Sequence, residues 1–147
     1  MKKLWLILLS AILFSACTSP ANSEFAKNRE KWQMANISHY RFSLSVGCFC
    51  AFVQKMPLEI EVKYGQVVSM IYNDGSPVSD SERQTFANYE TIDALFDYTK
   101  SAMKEADEIR IQYNATYGFP SEVQIDFMKN ARDDELALHV QSFEPLN

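Results

Sequence analysis

The chain has no basic excess, few histidines and few cysteines, and each shortage removes a class of function. Its 14 Lys and Arg stand against 19 Asp and Glu, a formal net charge of −5 at pH 7. Nucleic acid and anionic lipid surfaces attract a positive footprint, so neither is an expected partner of the folded part. The two histidines, His39 and His139, each fall near the polar side of a predicted strand, with no companion Glu at helical spacing. That is not a zinc signature. Asp126, Asp133, Asp134 and Glu135 are grouped, but without the spacing and the Gly of an EF-type calcium loop. The sequence gives no sign of the raised pKa that acid–base work by paired carboxylates needs. Nucleophile elbow, phosphate loop and dinucleotide fingerprint are all missing. The expectation is a protein that is not an enzyme, with no catalytic residue, no metal site and no cofactor.

Long apolar runs are missing too. Leu4 to Phe14 is an apolar stretch of eleven residues interrupted by Ser10, well short of the roughly 20 that a spanning helix needs. Met1-Lys2-Lys3 before it and Ser15-Ala16 after it complete the pattern of a secretory signal over residues 1–16. Phe14-Ser15-Ala16-Cys17 resembles the lipobox of bacterial lipoproteins, with Phe14 where Leu is usual. That resemblance implies a lipid on Cys17, a diacylglyceryl group with an added N-acyl chain. Each buried CH₂ contributes about 0.8 kcal/mol, so several chains together hold the protein to a membrane permanently. Thr18 stands where Asp marks retention in the inner membrane, so the address resembles that of the outer membrane, facing the periplasm. The expected partners are the membrane, through Cys17, and an envelope protein. Loss of Lys2 and Lys3 with the signal takes the net charge from −5 to −7. Residues 17–23 read as the lipidated N-terminus and a short linker, and residues 24–147 as a single domain.

Ten Phe, seven Tyr and two Trp supply a real hydrophobic core. Glu24 to Asn36 reads as a helix with a thin apolar face of Phe25, Trp32 and Ala35. From His39 the period changes to two: Tyr40, Phe42, Leu44 and Val46 alternate with polar residues, the mark of a half-buried strand. Leu58, Ile60 and Val62 repeat the pattern, Tyr64-Gly65-Gln66 is a hairpin turn, and Val68, Met70 and Tyr72 carry the return strand. Thr91 can cap a second helix, on which Ile92, Leu95, Phe96, Thr99, Met103 and Ala106 share one face. Three more alternating segments follow, at Ile109–Tyr113, Val123–Phe127 and Leu136–Val140. Pro57-Leu-Glu-Ile-Glu-Val62 and Pro120-Ser-Glu-Val-Gln-Ile125 form a short internal repeat, each opening the middle strand of a meander. The fold class is therefore α+β: helix, three-strand meander, helix, three-strand meander, in an antiparallel sheet with the helices on one face.

The start of the first strand at Tyr40-Arg-Phe42, the Cys48-Phe-Cys50 pair, the helix Thr91-Ile-Asp-Ala-Leu-Phe96, Tyr113, the Gly118-Phe-Pro120 loop, Ile125-Asp126 and Asp133-Asp-Glu135 together resemble a family of small uncharacterised bacterial lipoproteins, of the domain-of-unknown-function kind. The resemblance covers nearly the whole mature chain. It implies an envelope location and carries over no activity.

Two segments stand out as candidate sites. With Cys17 lipidated, Cys48 and Cys50 remain as an even pair in an oxidising compartment. On a strand their Cβ atoms stand too far apart for an unstrained bridge, and a bulge at Gly47 would bring them together. A local disulfide is one reading. Free thiols or an intermolecular bridge, a thiol redox role, and Cu(I) capture with Met56 are the others. Tyr117, Gly118, Phe119 and Pro120 form an aromatic loop. Such loops read partners, or else fold back over the sheet with Gly118 at positive φ. The expected contact surface of a non-enzymatic binding or structural module combines this loop with the Cys48–Cys50 strand end. The alternative function is a thiol redox or copper-handling protein.

Overall fold

The computed structural model describes residues 19–131 and 133–146. Cys17, Thr18 and the segment read as the signal lie outside the described residues. Among those described, no helix is long and apolar enough to cross a membrane.

The first helix, α1, runs Pro20–Ala35. It starts four residues before the predicted Glu24, so most of the segment read as linker is helical. Ser19 supplies the reason: its hydroxyl accepts the Asn22 N–H at 3.3 Å, and Pro20 occupies the first turn, where its missing N–H costs nothing. Asn36, left-handed at φ 47°, ends the helix. A single helical turn, α2, follows much later at Asp80–Arg83, closed by a reciprocal Ser79–Glu82 capping box. The third helix, α3, runs Ile92–Glu105, and Thr91 accepts the Ala94 N–H at 3.0 Å, as its position predicts.

Six strands form one antiparallel sheet: β1 (His39–Gly47), β2 (Leu58–Lys63), β3 (Gln66–Ile71), β4 (Glu108–Tyr113), β5 (Pro120–Asp126) and β6 (Glu135–Pro145). Their order is β3-β2-β1-β6-β5-β4. Each meander is thus consecutive, and the two repeat segments do form the middle strands β2 and β5. The halves join where β1 pairs with β6, from Tyr40 opposite Pro145 to Gly47 opposite Ala137.

One face of the sheet is the core. Phe42, Leu44, Leu58, Ile60, Val62, Val123 and Leu138 are fully buried there. Phe25 and Trp32 of α1, with Ile92, Leu95, Phe96 and Thr99 of α3, close it from above. Phe25 meets Phe96 edge-on at 5.6 Å, and Trp32 meets Tyr40 at 5.5 Å. The Tyr40 hydroxyl accepts the Ile92 N–H at the start of α3, and burial drives that phenol well above its usual range. Trp32 donates to Asp93 and Arg29 pairs with Asp97, tying the helices to each other.

Three strands depart from simple alternation: on β5, Glu122 opposes Gln112 and Pro120 opposes Tyr113, so Ser121 is an extra residue. On β3, Val67 opposes Val62 and Ser69 opposes Glu61, which leaves Val68 bulged between them. Val68 is 57% exposed, and Val67 packs on the core in its place. On β6, Ser142 opposes Ser43 and Val140 opposes Leu44, so Gln141 is the extra residue. That bulge resets the phase and lets the strand run five residues beyond the predicted Val140, with Phe143 turned toward Trp32 and Tyr40.

Candidate functional site

Among the described residues, no helix covers the other face of the sheet. Near one end, two rungs cross it. Arg110, Gln124, Ala137 and Gly47 oppose one another across four strands, and Glu108, Asp126 and Glu135 form the next rung. Gly47 and Ala137 contribute almost no side chain, and the row sinks between its neighbours. The result is a trough of about 670 Å³, with Cys48, Phe49 and Asp133 on its rim.

The rim is built by a tight turn. After Gly47 the chain leaves β1, and the Cys50 N–H donates to the Cys48 carbonyl at 2.8 Å, the closure of a three-residue turn. Cys48 and Cys50 are disulfide-bonded, with Cα atoms 5.2 Å apart. The sequence points to a bulge at Gly47 as the route to this bond. The pairing up to Gly47 is regular, and the turn beyond the strand brings the sulfurs together instead. Both sulfurs are engaged with each other, and Met56 packs against the core edge. Cys48 lies half-buried against the core, whereas Phe49, between the two cysteines, is 86% exposed.

The trough is electrostatically uneven. Glu108 already holds two cations, Arg110 at 2.6 Å and Lys129 at 3.4 Å. Asp126 has a buried Oδ1 with no hydrogen-bond partner among the described residues. Burial first, then the charges of Asp134, Glu135, Glu108 and Asp107, raise its carboxyl above the ordinary range. Asp133 and Asp134 shape the β5–β6 turn: Asp133 is left-handed at φ 68°, and Asp134 accepts the Met128 N–H at 2.7 Å. Among the described residues no three His, Cys, Asp or Glu side chains converge on a point where a metal ion would be held.

The two histidines do not meet. His39 lies 2.9 Å from Glu61, which also holds Arg41 at 2.8 Å and is itself held below the usual carboxylate range by these two bonds. His139 sits opposite Ser45, six residues further along β1.

The Tyr117–Pro120 loop departs most from its expected role as a contact surface. Phe119 is only 1% exposed, packed on Phe143 at 4.8 Å and edge-on to Trp32 at 6.2 Å. Tyr117 is half-buried against Phe143, and Pro120 is buried as the first residue of β5. Asn114 accepts the N–H groups of Thr116 and Tyr117, and the Lys31 ammonium donates to the Ala115 carbonyl. Gly118 does take positive φ, at 82°. The loop therefore clamps α1 onto the sheet. It also sits at the wrong end to join the cysteine turn. Pro120 opposes Tyr113 at one end of β4–β5, while Asp126 and Glu135 mark the other. At about 3.3 Å per residue, the length of β5 separates the two by roughly 20 Å. The combined surface expected from the sequence does not form. The polar face beside Phe49 was missed because Arg110, Gln124 and Ala137 are scattered in sequence and meet only through strand pairing.

No curated protein and no solved structure matches the chain. Residues 24–145, from the body of α1 to the end of β6, match one family along their length, and the chain belongs to that Family of unknown function (DUF6174).

Proposed function

We propose that the protein is a non-enzymatic binding module of the bacterial cell envelope, carried out by the signal of residues 1–16 and held through lipid on Cys17 at the outer membrane, facing the periplasm. Its contact surface is the trough on the open sheet face with Phe49 at the rim. The observation that carries the reading is Phe49 itself. An apolar ring 86% exposed loses free energy in water, and a disulfide across its two neighbours restricts its freedom before any partner arrives. Aromatic anchors of this kind dominate protein interfaces. The anchor supports the same reading. Ser19 caps α1 two residues after Cys17, a reach of about 7 Å. A partner of this module works at the membrane face.

Two measurements test the proposal on the full chain in cells. Alkyne-palmitate is expected to label the wild-type protein and not the Cys17→Ser variant; an unlabelled wild-type chain overturns the anchor. A photo-crosslinking amino acid at Phe49 is expected to give one discrete adduct, lost when Cys48 and Cys50 are both replaced by Ser. The same group at Tyr64, also exposed at 76% but on the β2–β3 turn, is expected to give none. Equal patterns from the two positions, or no adduct from Phe49, would sink the binding reading.

A further inference from the structure

We propose that the trough receives a basic, extended segment of a protein partner, with Lys or Arg side chains along the carboxylate rung and an apolar side chain on Phe49. This rests on the binding-module reading and names the chemistry of its partner. The first ground is charge. Of the carboxylates lining the trough, Glu108 is already paired with Arg110 and Lys129. Among the described residues, Asp126, Asp133 and Glu135 enter no ion pair. Asp107 and Asp134 stand behind them, spending one oxygen each on the N–H groups of Lys129 and Met128. Among the described residues the carboxylates of the rung outnumber the cations that pair with them, and such a negative patch steers and selects a cationic partner.

The second ground is geometry. Asp126 and Glu135 sit on neighbouring strands of one rung, and neighbouring strands lie about 4.8 Å apart. Glu135 is exposed and Asp126 half-buried beside it, the two lie side by side without converging, and no three donors gather to hold a metal ion among the described residues. Charges spaced along a surface match charges spaced along a chain, and the side chains on one face of an extended peptide repeat about every 6.8 Å. The trough, about 670 Å³, falls within the roughly 300–1,000 Å³ of sites that enclose a small ligand or a few side chains. The third ground is the mixture at the rim. A purely electrostatic patch needs no exposed ring, whereas Phe49 gives an apolar side chain beside the cation somewhere to pack.

The test uses the lipidated full chain in zwitterionic detergent with three blocked, fluorescent pentapeptides: Lys-Leu-Lys-Leu-Lys, Glu-Leu-Glu-Leu-Glu and Lys-Ser-Lys-Ser-Lys. Anisotropy is expected to show the first binding at least about tenfold more tightly than either of the others. Three surface charges, each of modest effect, set the scale for an Asp126→Asn/Asp133→Asn/Glu135→Gln variant, which is expected to lose about tenfold in affinity. Raising salt from about 50 to 300 mM is expected to weaken the wild type and leave the variant almost unmoved. Phe49→Ala is expected to weaken the first peptide and not the third. No binding of the first peptide, equal binding of the acidic one, or full affinity in the triple variant overturns the inference. Circular dichroism of each variant confirms that its fold is intact. The Phe49 crosslink separates the two levels: an adduct that survives the triple variant and high salt leaves the binding module standing and removes its preference for basic segments.

Discussion

Asp126 sits where the fold crowds carboxylates together, and its raised pKa turns into a stability prediction with a definite sign. A carboxyl whose folded pKa lies above its unfolded one favours the folded state when protonated. The cost of ionising it enters as pH rises from about 4, the usual carboxylate value, through the folded value, and is fully present above that. Replacing Asp126 with Asn removes the charge. The variant is expected to unfold at a higher urea concentration than the wild type at pH 7, and at the same concentration at pH 3. A gain that persists unchanged at pH 3 would show that the carboxylate repulsion is not its source. Glu82 acts in the opposite sense. Its bonds from Ser79 pull it down to about 2, so its contribution is present at neutral pH and is lost as pH falls toward that value. Under the proposed binding role, a carboxylate crowded on the open face fits a surface that is not optimised for stability alone.

At the scale of elements, the decisive junction is α1 against the β4–β5 loop. A Cβ on Gly118 would lie 2.5 Å from the Asn28 carbonyl oxygen and 3.0 Å from the Lys31 Cβ. The residue is left-handed as well, at φ 82°. Gly118→Ala is therefore expected to destabilise by about 2–4 kcal/mol, the left-handed penalty for a Cβ plus the forced separation of helix and loop. Urea titration measures it, and a loss under about 1 kcal/mol would mean that the helix slides without resistance. Glycine at this place was legible from the sequence, as the pivot of a loop folded back over the sheet. The partner it pivots against was not, because nothing in Gly118-Phe119-Pro120 says that Asn28 lies above it. The bulges at Val68 and Gln141 were illegible for a related reason. Alternation reports which way a side chain faces only while the phase is unbroken, and a bulge shows itself through the strand opposite. Alternation alone therefore puts Val68 against the core, where Val67 packs instead, and ends β6 at Val140.

At the scale of the whole molecule, the two meanders share one core, and neither is closed by its own helix. Trp32 of α1 reaches Tyr40 in the first half and Phe119 and Phe143 in the second. With the β1–β6 seam running through the middle of the sheet, neither half retains its burial when the other opens. Unfolding in urea is expected to be a single transition, with far-ultraviolet circular dichroism and the near-ultraviolet signal of the aromatic cluster superimposing. Two separated midpoints would show the internal repeat acting as two units.

What the sequence determined by itself were the local quantities. Period-two alternation marks six strands and the inner face of most of them, Thr91 caps a helix, and Gly118 takes the conformation that other residues avoid. Each depends on a residue and its near neighbours. Tertiary structure decided which ends of the strands meet and which aromatics remain outside. Phe49 and Phe119 are the same side chain in similarly turn-rich surroundings, yet one is exposed and the other is buried under α1. The difference comes from Trp32 on α1, which packs edge-on against Phe119 from far away in the sequence, and chemistry written along the chain carries no local sign of it.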